Sequence, residues 1–149
     1  MGTHEEDPEV IPLAQTLGEE IARRGCILLT GGGPGVMHAA SHGASRAGGL
    51  VIGILPSERR SPLPGYPKAY VDIPIYTGLL DARNVINAKT PDIIIALKGG
   101  AGTLSEIALA LKAGTPVICL GAWHDLFPGR IIPVHTVEDA MAVIDRLLS

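Results

Sequence analysis

Two aliphatic runs that each end on a cluster of glycines restrict this chain more than any other feature. Cys26-Ile-Leu-Leu-Thr30 runs into Gly31-Gly-Gly-Pro-Gly35, and Asp92-Ile-Ile-Ile-Ala-Leu97 runs through Lys98 into Gly99-Gly-Ala-Gly102. A stretch of helical length follows each cluster. One is expected from Val36 to about Ala47, the other from about Thr103 to Ala113, closed by Gly114. A strand that turns through glycine straight into a helix is the unit of a parallel sheet with helical crossovers. Runs that are continuously apolar, rather than alternating, belong to strands covered on both faces.

The rest of the chain keeps this alternation. A first helix is expected with Asp7 as its cap, Pro8 in its first turn, Val10, Ala14, Leu17 and Ile21 on one face, and Gly25 as its stop. Further strands are expected at Leu50–Leu55, near Ala69–Ile73, at Thr115–Leu120 and at Ile131–Val134, with a third helix from Gly78 to Lys89. Residues 56–67 hold four prolines, which excludes a regular element there. Thr136-Val-Glu-Asp139 reads as a capping-box-like start to the final helix. The expected fold is therefore one α/β domain over residues 1–149: a Rossmann-like, doubly wound, mostly parallel sheet with helices on both faces. Such a domain ordinarily opens with a strand, whereas this sequence opens with a helix. The first strand of the arrangement is expected to be absent or supplied from outside the sequence.

Composition narrows the function classes. Hydrophobic residues make up 46% of the 149 residues and aromatics only 3%, so the core must be aliphatic. The net charge of -3 and the lack of a basic stripe argue against a nucleic-acid partner. No apolar run reaches the ~20 residues of a membrane helix, and the acidic opening Met1–Pro8 is unlike a signal peptide. Cys26 and Cys119 sit in apolar runs and read as reduced core thiols, which places the protein in the cytoplasm.

In an open α/β sheet, ligands bind beyond the carboxyl ends of the strands, where both glycine clusters lie. Helix starts there offer free N–H groups and a positive dipole end to an anion. Thr30, Gly31, Gly32, Gly33, Gly35 and Val36 at the first turn, with Gly99, Gly100, Gly102 and Thr103 at the second, are candidate phosphate-binding residues. The alternative is that the glycines only make tight turns. Neither cluster ends in Lys-Ser/Thr, which argues against a nucleoside triphosphatase. The first acid after Gly53 is Glu58, in the proline-rich loop, which argues against a dinucleotide fingerprint.

Three side chains stand near these turns. Glu106 completes Thr103-Leu-Ser-Glu106, readable as a capping box or as a carboxylate on the cleft floor. Arg83 is either a solvated helix residue or a phosphate clamp. Asn84 beside it can exchange hydrogen bonds with a base or pterin edge. His38 and His42 have helical metal-ligand spacing but no third ligand, so they read as exposed helix residues and no metal site is expected. Arg59 and Arg60 read as solvated, and Trp123 and His124 as loop packing.

Thr30-Gly-Gly-Gly-Pro-Gly-Val-Met37, Arg83, and Gly99-Gly-Ala-Gly-Thr-Leu-Ser-Glu106 together resemble the superfamily of the Lonely Guy cytokinin-activating phosphoribohydrolases, whose members were long labelled lysine decarboxylases. The resemblance runs from about Leu17 to Gly121. It implies that Arg83 and Glu106 are the catalytic pair of a hydrolase cleaving the N-glycosidic bond of a nucleoside 5′-monophosphate. Two departures from that branch are Arg83-Asn84 in place of Arg-Lys, and Lys98-Gly99-Gly100 in place of Pro-Gly-Gly. The stretch Val71-Asp-Ile-Pro-Ile-Tyr-Thr-Gly78 with Ala82-Arg-Asn84 resembles the sister branch of molybdenum-cofactor carrier proteins. That likeness implies binding of a phosphorylated pterin or nucleotide without turnover. No cofactor is required on either reading, and the molybdenum cofactor or a nucleotide is the implied ligand. The family further implies a homo-oligomer, dimer or tetramer. Lysine decarboxylation is not expected, since pyridoxal phosphate needs a Schiff-base lysine in an organised site and Lys98 is the only lysine beside the turns. A structural subunit with an unused cleft is the third reading.

Overall fold

A computed structural model describes all of residues 1–149. The elements in chain order are α1 (Ile11–Arg23), β1 (Leu28–Thr30), α2 (Val36–Arg46), β2 (Val51–Leu55), β3 (Ile73–Tyr76), a 3₁₀ turn (Leu80–Arg83), α3 (Asn84–Lys89), β4 (Ile94–Ala96), α4 (Ala101–Ala113), β5 (Val117–Leu120), β6 (Ile132–Val134) and α5 (Val137–Leu148). Every strand pair is parallel, in two three-stranded groups ordered β1-β2-β3 and β4-β5-β6. Helices α1, α2 and α5 pack on one apolar layer, built from Ala14, Leu17, Val51, Ile118 and Ile144 among others. Helices α3 and α4 cover the other, around Ala88, Ile94, Ile107, Val117 and Cys119. The expected Rossmann-like α/β architecture is the observed one.

The residues before α1 join the sheet. The Met1 ammonium donates to the Ile95 carbonyl at 2.7 Å, and the Leu97 N–H returns a bond to the Met1 carbonyl at 2.9 Å. The Thr3 N–H donates to the Lys98 carbonyl, and the Thr3 carbonyl accepts from the Val36 N–H at the start of α2. Met1–Thr3 thus lies along β4 like a short parallel strand and ties the two glycine turns together. The first regular element is nevertheless α1, as the expected opening on a helix has it.

Other boundaries move for local reasons. Asp7 does not cap α1; its Oδ1 accepts from the Glu9 N–H in a preceding turn, and Pro12 rather than Pro8 opens the helix. The strand expected near Ala69–Ile73 forms at Ile73–Tyr76 instead, because Tyr70 takes a left-handed conformation (φ 72°) that no strand allows. The third helix is broken: positive φ at Gly78 (66°) and Leu80 (49°) turns the chain into a 3₁₀ segment before α3. The final helix is capped as expected, with Thr136 Oγ1 accepting from the Asp139 N–H at 3.0 Å.

Helices α1 and α2 meet backbone to backbone at two glycines. A Cβ on Gly18 would strike the Ala40 carbonyl, and one on Gly43 the Gln15 carbonyl. This crossing seats α2, and with it the first glycine turn. Gly43→Ala is expected to lower the melting temperature by about 4–8 °C, from an overpacking cost of ~2 kcal/mol in a chain this size. Thermal unfolding by circular dichroism checks it, and an unchanged midpoint would contradict the tight crossing.

Candidate functional site

The sheet's carboxyl end opens on a cavity of about 730 Å³ that continues between β1 and β4. Its apolar part is walled by Leu28, Leu29, Ile94 and Ile95. Its polar part gathers Thr30, Gly31, Val36, Arg83, Asn84, Gly102, Thr103 and Glu106, all candidates from the sequence. Gly32, Gly33, Gly35, Gly99 and Gly100 do not line it. They shape the turns: a Cβ on Gly33 would meet the Tyr66 ring, on Gly35 the His4 backbone, and on Gly99 the Thr103 side chain. Two of the amides expected to face a ligand are engaged within the chain, Gly32 N–H with Thr30 Oγ1 at 3.0 Å and Val36 N–H with Thr3.

Arg83 is not a solvated surface residue. The 3₁₀ turn directs it inward, where it is 8% exposed. Its Nη1 donates to the Ile54 carbonyl at the end of β2, 2.8 Å away. The guanidinium takes part in none of the chain's ion pairs. A Cβ on residue 31 would occupy the space of that guanidinium and of the Met37 sulfur, so a side chain there would displace Arg83 from this position. The Tyr66 ring lies over the Arg83 guanidinium, 5.8 Å from its carbon to the ring centroid. The Lys68 N–H bonds to the Gly32 carbonyl at 2.8 Å, so the proline-rich segment straps the first turn. A buried cation without a counterion is costly, and an anion entering the cavity would supply the missing charge.

Glu106 is the opposite pole. The capping-box reading fails because α4 starts at Ala101, with Gly100 as its extended cap residue, which leaves Thr103 and Glu106 inside the helix. The carboxylate is 9% exposed and accepts from Asn87 Nδ2 at 3.0 Å, a buried bond from α3. Asn84 Nδ2 is held by Ser105 Oγ at 3.2 Å. Burial pulls the Met1 ammonium below the ordinary amine range, against the charges of Glu106 and Cys119, which raise it. The cavity therefore holds the buried Arg83 guanidinium and the buried Glu106 carboxylate, which form no ion pair with each other.

Asn87, Tyr66 and Met37 were not singled out from the sequence. Asn87 had a signal, because it lies one helical turn after Arg83 and shares its face; Tyr66 had none. Lys98 pairs with Asp7 at 2.8 Å, a bond that draws the Asp7 carboxyl below its usual range. His38 and His42 are half-buried against Tyr70 rather than exposed, with the His42 ring stacked on it at 4.6 Å. Trp123 Nε1 donates to the Leu97 carbonyl at 2.8 Å and His124 packs against β5 and β6 carbonyls, as loop packing requires.

A family model described as the SLOG cluster4 family matches residues 1–143. The chain belongs to the SLOG cluster4 family. An uncharacterized protein of Archaeoglobus fulgidus is 42% identical over 120 residues, covering 80% of this chain and 76% of that one. The cytokinin riboside 5′-monophosphate phosphoribohydrolase LOG of Oryza sativa is 36% identical over 96 residues, 63% of this chain and 38% of the rice protein. Among solved structures, the molybdenum cofactor binding protein of Rippkaea orientalis aligns with a TM-score of 0.90 at 39% identity, covering 100% of this chain and 93% of that one. The molybdenum cofactor carrier protein of Chlamydomonas reinhardtii aligns with a TM-score of 0.83 at 39% identity, covering 99% and 94%. No helix of this SLOG cluster4 member is long and apolar enough to cross a membrane.

Both thiols are free. Cys119 is buried on β5, and burial pushes its thiol up to about 11, against the lowering influence of the Met1 ammonium. Alkylation of the native protein at pH 8.5 is expected to modify half-buried Cys26 and spare Cys119 until the chain unfolds, as peptide mapping would show. Equal labelling of both would contradict the closed β5 environment.

Proposed function

We propose that this protein binds a small phosphorylated ligand of pterin or nucleotide type and acts as a carrier, with the molybdenum cofactor as the leading ligand. One observation carries the reading: the buried Arg83 guanidinium lacks a carboxylate partner and shares its cavity with one glycine of each cluster, Gly31 and Gly102. A dianionic phosphate answers that charge with bidentate, charge-assisted hydrogen bonds. The polar residues beyond Arg83, namely Asn84, Thr103 and Glu106, would hold the remainder of the ligand. Support for a carrier comes from full-length similarity to molybdenum cofactor binding and carrier proteins, and from Asn84 following Arg83.

A phosphoribohydrolase is the second reading, favoured by the buried Glu106 carboxylate and by the similarity to the rice enzyme. Glu106 would stabilise positive charge on an oxocarbenium-like ribose and direct water to it, while Arg83 holds the phosphate. Arg83→Ala is expected to weaken binding of a phosphorylated ligand by at least tenfold on either reading. The two part on turnover. Incubation with AMP and related monophosphates is expected to release no free base, and mass spectrometry with molybdenum analysis is expected to find a copurified pterin. Base release that disappears in Glu106→Ala would replace the carrier by the hydrolase.

Self-association in a cytoplasmic setting completes the proposal. Ile73, Ile75, Leu79, Leu80 and Val85 form an exposed apolar band at the β3 edge and the start of α3. Light scattering is expected to show a dimer or larger species. Leu80→Asp is expected to shift it toward the monomer, and a monomeric unmodified protein would refute the assembly.

A further inference from the structure

Residues 58–70 run past the first glycine turn as a solvated segment in which Tyr66 alone is not exposed. The backbone of the segment bonds to the rest of the chain at one point, the Lys68 N–H on the Gly32 carbonyl. Its other backbone bonds are internal: Ser61 N–H donates to the Glu58 carbonyl, and Tyr66 N–H to the Leu63 carbonyl. Tyr70 rests on the His38 and His42 rings at the far end. A stretch with so few buried contacts contributes little stability of its own, yet it turns one aromatic ring inward. That ring covers Gly33, where a Cβ would strike it, and lines the cavity beside Arg83.

Arg83 is what the ring acts on. Its Nη1 is spent on the Ile54 carbonyl, whereas Nε and Nη2 bond to nothing in the chain and are not closed off by it. One hydrogen bond fixes a point of the guanidinium but not its plane. Tyr66 supplies the second hold, with the guanidinium carbon over its ring at 5.8 Å from the centroid, within the range of a cation–π contact. A ring grips a guanidinium through its π face and takes none of the in-plane N–H donors. A carboxylate in the same place would occupy those donors and cancel the charge. We infer that Tyr66 is a positioning residue, which sets the Arg83 plane so that the free Nε and Nη2 edge can meet two oxygens of a phosphate. The proline-rich segment is thereby part of the anion site, an inference that rests on the phosphate at Arg83 proposed above.

Two measurements on Tyr66→Leu and Tyr66→Phe test this. The first is the rate at which phenylglyoxal modifies Arg83 in the ligand-free protein, followed by peptide mapping. Tyr66→Leu is expected to raise that rate at least fivefold, and Tyr66→Phe, which keeps the ring, to stay within about twofold of the unmodified protein. An unchanged rate in Tyr66→Leu would overturn the inference and leave the phosphate reading standing. The second is calorimetric titration with neopterin monophosphate and AMP, and with neopterin and adenosine as their forms without phosphate. Tyr66→Leu is expected to weaken a monophosphate at least fivefold while leaving its unphosphorylated form unchanged, and Tyr66→Phe to restore the difference. Equal losses for both forms would make Tyr66 an ordinary piece of cavity wall and overturn the positioning role. Absence of binding by either monophosphate to the unmodified protein would remove the phosphate reading and the site role built on it, while the labelling series still decides whether Tyr66 holds Arg83. Should Tyr66→Leu not fold, Lys68→Pro replaces it: loss of the donor to Gly32 releases the segment, and an Arg83 labelling rate that does not rise would overturn the inference.

Discussion

The cavity is organised around one guanidinium that has been taken out of water and given no carboxylate. Arg83 sits under the Tyr66 ring, bonds the Ile54 carbonyl at the end of β2, and fills the space a side chain on residue 31 would need. Each neighbour is constrained by it. Gly31 leaves room for the guanidinium, the segment carrying Tyr66 and Lys68 folds back over the first turn, and the 3₁₀ turn after β3 carries Arg83 inward. A buried charge with one carbonyl bond is expensive to keep in a core, and the fold retains it on the wall of the cavity.

Glu106 is the cavity's buried carboxylate and forms no ion pair with that cation. Helix α4 begins at Ala101, so Thr103 and Glu106 lie on its inner face rather than at its end. Asn87 then reaches across from α3 and holds one carboxylate oxygen. Helices α3 and α4 share one apolar layer through Ala88, Ile107 and Ala110, which sets the distance at which this bond can form. Positive and negative poles are kept apart by separate elements.

The main chain supports these poles through an unusual join. Parallel strands normally pass hydrogen bonding along a continuous sheet, but here β1 and β4 belong to separate three-stranded groups that flank the cavity. Met1–Thr3 bonds to β4 on one side and to the start of α2 on the other. The Lys98–Asp7 pair adds a second tie between the opening segment and the second glycine turn. The α1–α2 crossing at Gly18 and Gly43 then fixes where α2 begins.

The amino-acid sequence by itself determined the class of fold and marked out a candidate site, because both rest on local patterns. Continuous aliphatic runs such as Asp92–Leu97 dictate buried parallel strands, and glycines directly after them dictate strand-to-helix turns at the carboxyl end. The motif from Gly99 to Glu106 and the single Arg83 were legible for the same reason. Long-range contacts were not. The Ala69–Ile73 strand moved because Tyr70, packed beside His38 and His42, takes a left-handed conformation. The capping box at Thr103 dissolved because α4 gained an extra turn at Ala101, and Glu106 found its partner on a helix 19 positions away. The opening segment's place in the sheet had no local signal, since Met1–Thr3 is too short to carry a pattern. What the tertiary structure alone decided is which candidate groups are buried, which are paired, and which stay unsatisfied. Arg83 illustrates this, because a charge becomes costly only once the surrounding chain has excluded water from it.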